Sequence, residues 1–77
     1  MNNRKRSIFA TRLVEARKAK GWSQMRLAVE MNMHQQTISF WEIDRSTPRA
    51  AKLVKLASVL GVSLDWLMGI DEEVKHG

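Results

Sequence analysis

Apolar residues recur along this chain in five short runs at helical spacing, and nowhere do they alternate with polar residues as in a half-buried strand. Phe9, Leu13 and Ala16 fall at i, i+4 and i+7 on one face of a helix from about Ser7 to Lys20. Ser7 is placed to cap its start, and Gly21 to end it. A second run opens at Ser23, a good N-cap, with Leu27, Ala28 and Met31 on its inner face. Asn32 interrupts it, and Asn accepts the left-handed conformation, so the pattern predicts a sharp turn. A third run spans about His34 to Ile43. Ile38 and Trp41 face inward, and Gln35, Gln36, Ser39 and Phe40 occupy the other side. The polar loop Asp44-Arg45-Ser46-Thr47 leads to Pro48, read as the start of a fourth helix with Thr47 as its cap. In that helix Leu53, Leu56, Ala57 and Leu60 share a face, and Gly61 stops it. Ser63 caps a short fifth helix containing Leu64, Leu67 and Met68, closed by Gly69. The expectation is an all-α, compact five-helix domain over residues 7–70. A basic, mobile arm (1–6) precedes it and a charged, frayed tail (71–77) follows.

Composition narrows the class. With 77 residues the chain is one domain, and a core of this size is marginal. There is no Cys to form a disulfide, and His34 and His76 lie far apart, so neither metal nor cofactor is expected. The missing Cys fits a reducing compartment. No apolar run approaches the roughly 20 residues of a membrane span. No long apolar stretch follows the basic N-terminus, so no signal peptide is read there. The charge is more telling. Residues 1–69 hold 12 basic and 5 acidic side chains, a net of +7, while Asp71, Glu72 and Glu73 sit at the C-terminal end. A basic body suits a polyanionic partner, although a merely soluble basic protein has the same charge.

The second and third runs, joined by a turn of three or four residues, form a helix-turn-helix. In that motif the second helix enters the major groove, and side chains near its N-terminus meet base edges. Gln35 and Gln36 suit this role, because an amide offers one acceptor and one donor that match adenine N6 and N7. Ser39, one turn on, serves either base type. Phe40 has two readings: it touches a thymine methyl, or it folds back on the core. The helical spacing of Trp22, Trp41 and Trp66 assigns them to the core, with Trp66 shared between core and an interface. Arg4-Lys5-Arg6 is a solvated tail or a DNA contact.

The series Ser23-Gln24, Leu27-Ala28, Gln35-Gln36-Thr37-Ile38-Ser39 and Glu42, in this order and spacing, resembles the Cro/cI family, also called lambda-repressor-like or XRE. The run from Leu56 to Leu67 looks like the last two helices of lambdoid phage repressors. The likeness covers about residues 9–69. It implies that Gln24 meets a DNA phosphate and that Gln35, Gln36, Ser39 and Phe40 face bases. It places Arg45, Ser46 and Thr47 along the DNA backbone. It also implies a buried ion pair between Arg17 and Glu42, both of which fall on inward-pointing faces. Arg26, His34 and Thr37 are added as backbone contacts on position. The chain departs from the family pattern at Asn32, usually Gly, at His34, usually a Ser or Thr cap, and at Arg26, usually Glu. An Arg there opposes the helix dipole, which fits a nearby phosphate.

These readings make the chain an expected double-stranded DNA-binding transcriptional regulator, a repressor of phage or prophage type in the bacterial cytoplasm and nucleoid. One recognition helix covers too few base pairs to define a site, so a homodimer formed mainly on DNA is expected. The apolar residues Leu64, Trp66, Leu67 and Met68 are its expected interface. No small-molecule ligand or membrane partner is read. An enzyme lacks support, because the sequence shows no nucleophile with a base, no paired carboxylates and no phosphate loop. The alternative is an antitoxin that binds both a toxin and its operator. The short stretch after Gly69 argues against a toxin-binding segment and favours a stand-alone regulator over a repressor fragment.

Overall fold

The computed structural model describes residues 6–70. Among them are five α-helices and no strand: α1 (Ile8–Ala19), α2 (Gln24–Met31), α3 (Gln35–Glu42), α4 (Ala50–Leu60) and α5 (Leu64–Met68). This is the helix order that the apolar pattern predicts. The arm residues 1–5 and the tail 71–77 lie outside the described residues.

Local chemistry explains where most helices begin. Ser7, Ser23 and Ser63 each accept a hydrogen bond on Oγ, from the N–H of Ala10, Arg26 and Trp66 respectively, all at 3.0 Å. Each bond satisfies one of the donors that the first helical turn leaves unpaired. Helix α4 starts differently from expectation. Its cap position is Arg49, with no side-chain cap bond, and the N–H of Leu53 closes the first turn on Arg49 O at 2.9 Å. Pro48 therefore lies one residue ahead of the cap, and Thr47 is not the cap. The reason is apolar. Pro48 and Leu53 hold the two positions that form a hydrophobic staple, and both line a cleft of about 470 Å³ beside Phe9 and Met68.

The helix ends share one device. After α1, α2, α3 and α4 the chain enters the left-handed region at Gly21, Asn32, Asp44 and Gly61, with φ between 58° and 74°. At each end the following residue donates back across the last turn: Trp22 to Arg17 O, Met33 to Ala28 O, Arg45 to Phe40 O and Val62 to Ala57 O. This is the Schellman closure, which satisfies carbonyls that would otherwise be orphaned. Asn32 thus makes the turn expected of it, and only Asn32, Met33 and His34 separate α2 from α3. The tightest glycine is Gly69, at φ 79°. A Cβ there would come within 2.7 Å of Ile8 Cγ2, so no side chain fits where α5 closes against α1.

One apolar core joins all five helices, built on Phe9, Leu13, Leu27, Met31, Ile38, Trp41, Leu56, Leu60 and Leu67. Helix α1 packs on α3 and α5, α2 on α3 and α4, and α4 on α5. Leu67 is wholly buried. The expectation that it forms part of a dimer surface is therefore corrected: it fills the core, while Leu64, Trp66 and Met68 stay half-buried. A helix of five residues is too short for its period to tell a core face from an outer face. Trp41 is buried, but Trp22 and Trp66 are only half-buried and lie beneath cations. Lys20 and Arg26 stand 5.0 and 4.9 Å from the Trp22 ring, and Arg12 stands 5.0 Å from that of Trp66.

The core encloses one charged pair. Arg17 and Glu42 are 9% and 4% exposed, the two polar members of an otherwise apolar interior. Arg17 Nε and Nη2 donate to the two carboxylate oxygens at 2.6 and 3.1 Å, a bidentate arrangement that ties α1 to α3. Arg17 Nη1 donates to Trp22 O at 2.8 Å, and Gln24 Nε2 to Glu42 Oε1 at 2.9 Å. Among the described residues no buried side-chain nitrogen or oxygen lacks a partner. Removing one partner of such a pair leaves the other charge buried without compensation. Glu42→Ala is therefore expected to destabilise the fold by roughly 3–5 kcal/mol. Exposed Glu15→Ala should stay within about 0.5 kcal/mol of the parent. Urea titrations of both variants, followed by helical circular dichroism, make the comparison; matching midpoints would show that the pair is solvated.

Candidate nucleic-acid interface

Helix α3 has two faces with opposite chemistry. Ile38, Trp41 and Glu42 are buried at i, i+3 and i+4 and fix the helix against α1 and α2. The opposite side presents Gln35 and Gln36, both exposed, then Thr37, Ser39 and Phe40, each half-buried. The expected base-facing residues thus share one face near the start of a helix held rigidly from behind. His34 is exposed at the cap position and makes no side-chain cap bond.

The flanks of this face carry most of the other expected residues. Gln24 opens α2 and is not free. Its Nε2 donates to Glu42, and its Oε1 accepts from Gln35 Nε2 at 2.8 Å. Arg45, Ser46 and Thr47 follow α3 in the polar loop and are exposed. The Arg45 guanidinium lies 5.4 Å from the Phe40 ring centroid, so Phe40 is half-covered by a cation rather than folded into the core. Arg26 is held on α2 by Glu30 at 2.8 Å and by stacking on Trp22. That answers the unfavourable position of an Arg near a helix N-terminus with two contacts inside the chain. The expected interface residues Leu64, Trp66 and Met68 gather on α5, away from α3, where Arg12 Nη1 donates to the backbone carbonyl of Trp66.

Sequence reading overlooked Asp44. Its carboxylate accepts from Ser7 N at 2.6 Å and from Ser7 Oγ at 2.7 Å. The cap of α1 is thereby joined to the first residue of the loop that carries Arg45, Ser46 and Thr47. Helix α2 is steadied in a similar way from α4, where Lys55 Nζ donates to Met31 O at 3.2 Å, a cation at a helix C-terminus. The partners are 37 and 24 residues apart, so no local pattern announces them. Among the described residues no group of three or more His, Cys, Asp or Glu could hold a metal ion, and no helix is long and apolar enough to cross a membrane.

Two short helices set by a three-residue turn, the second exposing a polar face, define a helix-turn-helix domain. Residues 13–67 match the Helix-turn-helix family, and the chain belongs to it, in its Cro/cI-like form. Among relatives, the chain is 38% identical over 61 residues to the SPbeta prophage-derived uncharacterized HTH-type transcriptional regulator YonR of Bacillus subtilis (strain 168), covering 79% of this chain and 56% of that protein. It is 38% identical over 64 residues to the HTH-type transcriptional regulator ImmR of the same organism, covering 83% of this chain and 50% of that one. The chain thus spans about half the length of these two relatives. The crystal structure of the hypothetical transcription factor NHTF from Neisseria superposes with a TM-score of 0.79 at 29% identity, over 94% of this chain and 84% of that one.

The tie between Ser7 and Asp44 predicts a graded response. Asp44→Ala removes two charge-assisted acceptors and puts a Cβ without local hydrogen bonding into the left-handed region, a loss of about 1–3 kcal/mol. Asp44→Asn keeps an acceptor and a residue that tolerates this backbone, so it should retain most of the stability. Thermal melts of the two variants read the difference. Equal losses would show that the carboxylate tie contributes nothing.

Proposed function

We propose that this chain is a sequence-specific DNA-binding unit of a transcriptional repressor of prophage type, acting in the bacterial nucleoid by binding rather than catalysis. The observation that carries the reading is the α3 face. Gln35, Gln36 and Ser39 are polar, share one side and stand on a helix whose other side is locked by Ile38, Trp41 and Glu42. Rigid placement matters because base readout needs paired hydrogen bonds to a groove edge. In this reading α3 lies in the major groove, with Gln35, Gln36, Ser39 and Phe40 toward the bases. Gln24, Arg26, His34, Thr37, Arg45, Ser46 and Thr47 line the phosphates on either side. The basic excess of the chain supplies the non-specific part of the affinity. The names of the two Bacillus regulators support the regulatory role.

Two copies are proposed to act together on a near-palindromic operator, meeting through Leu64, Trp66 and Met68 of α5. These three apolar side chains remain partly exposed on one short helix after the core is complete. The patch is small, so dimerisation in solution is weak and DNA strengthens it.

Two measurements test these statements. After selecting the preferred duplex from random DNA, Gln36→Ala should lower affinity for it by about 1–3 kcal/mol and leave a scrambled duplex nearly unchanged. An equal loss on both would remove Gln36 from the list of base readers. Stoichiometry on the selected duplex tests the dimer: two proteins per duplex with a symmetric footprint are expected, and one protein with an asymmetric footprint overturns it.

A further inference from the structure

Four side chains form a single hydrogen-bonded line from the core to the exposed face of α3: Arg17, Glu42, Gln24 and Gln35. Its members are not equivalent. A carboxylate can only accept, and a guanidinium can only donate, so the buried end has a fixed sense. Glu42 Oε1 accepts from Arg17 Nη2 and from Gln24 Nε2, at 3.1 and 2.9 Å. Gln24 must therefore turn its NH2 toward Glu42, because the reverse would set its carbonyl oxygen against a buried anion. Its Oε1 is then left facing Gln35, whose NH2 fills that place at 2.8 Å. Flipping Gln35 would bring two acceptors together.

We infer that this relay sets the hydrogen-bonding polarity of Gln35, making Glu42 and Gln24 positioning residues for sequence readout. The inference rests on the proposed role of α3 in the major groove. With one N–H spent on Gln24, Gln35 shows its environment an outward carbonyl oxygen and one remaining N–H. That pair matches adenine, whose N6 amino group donates and whose N7 accepts. The flipped amide would show two donors instead, the pattern that suits the O6 and N7 acceptors of guanine. An untethered Gln adopts either sense at little penalty. A tethered one favours adenine before DNA arrives. Gln24 thus acts on base choice without touching a base, which differs from a phosphate contact alone.

Gln24→Met cuts the relay at its middle and leaves both Arg17–Glu42 hydrogen bonds in place. The first measurement uses the free protein. In ¹⁵N spectra the side-chain amide of Gln35 should move in Gln24→Met, while that of Gln36 should not. An unmoved Gln35 amide overturns the relay. The second titrates parent and variant against the selected duplex, single-base variants at every half-site position, and a scrambled duplex. The parent should prefer adenine over guanine at the position read by Gln35 by about tenfold or more. In Gln24→Met this preference should fall to within about threefold there and persist elsewhere, with scrambled-duplex affinity held within about twofold. A uniform loss on every duplex, or an unchanged preference, would overturn the inference. If the parent itself does not distinguish selected from scrambled DNA, the proposed function fails, and the amide spectra alone decide the relay.

Discussion

Glu42 is the group on which the arrangement depends. A carboxylate that is 4% exposed is tolerable only when its lone pairs are spoken for, and here a bidentate Arg17 and an amide from Gln24 do so. These bonds determine the azimuth of α3 about its own axis. Ile38 and Trp41 alone would hold the helix against the core, but apolar contacts slide more easily than a directional pair. Arg17 in turn reaches Trp22 O, so the same guanidinium orders the link between α1 and α2. The charged centre therefore unites the three helices that build the motif.

Around this centre the small domain replaces missing core volume with directional closures. Four left-handed helix ends, three serine caps and two long-range side-chain ties each fix a piece of backbone that a larger protein would bury under more apolar surface. Two exposed tryptophan faces are screened by cations, Lys20 and Arg26 over Trp22 and Arg12 over Trp66. The long stems of these residues cover ring surface while their charges stay in water. Positive charge and aromatic cover thus come from the same side chains.

Much of this was legible in the sequence because it is local. Serine caps act over three residues, and the 3.6-residue period marks one face of α1, α2 and α4. Asn32 signals its own turn through its tolerance of positive φ. The failures have physical causes as well. Pro48 is compatible both with the first helical position and with a staple ahead of the cap, and only the tertiary partner Leu53 decides between them. Leu64, Leu67 and Met68 look alike on a five-residue helix, and only Leu67 is swallowed by the core. Asp44 reads as a loop residue until folding brings Ser7 beside it. Arg17 and Glu42 were legible through family resemblance and inward position together, whereas the links to Gln24 and Gln35 required coordinates.

The two neighbouring glutamines differ in how far a change at each would be felt. Gln36 makes no side-chain hydrogen bond among the described residues, so its replacement alters the surface of α3 and nothing behind it. Gln35 shares a bond with Gln24, and through it with the ion pair that fastens α1 to α3. Drift at position 36 is mechanically insulated, and drift at position 35 is geared to the scaffold. A lineage of such domains would diversify first through position 36, keeping position 35 as the fixed letter against which new readings are aligned.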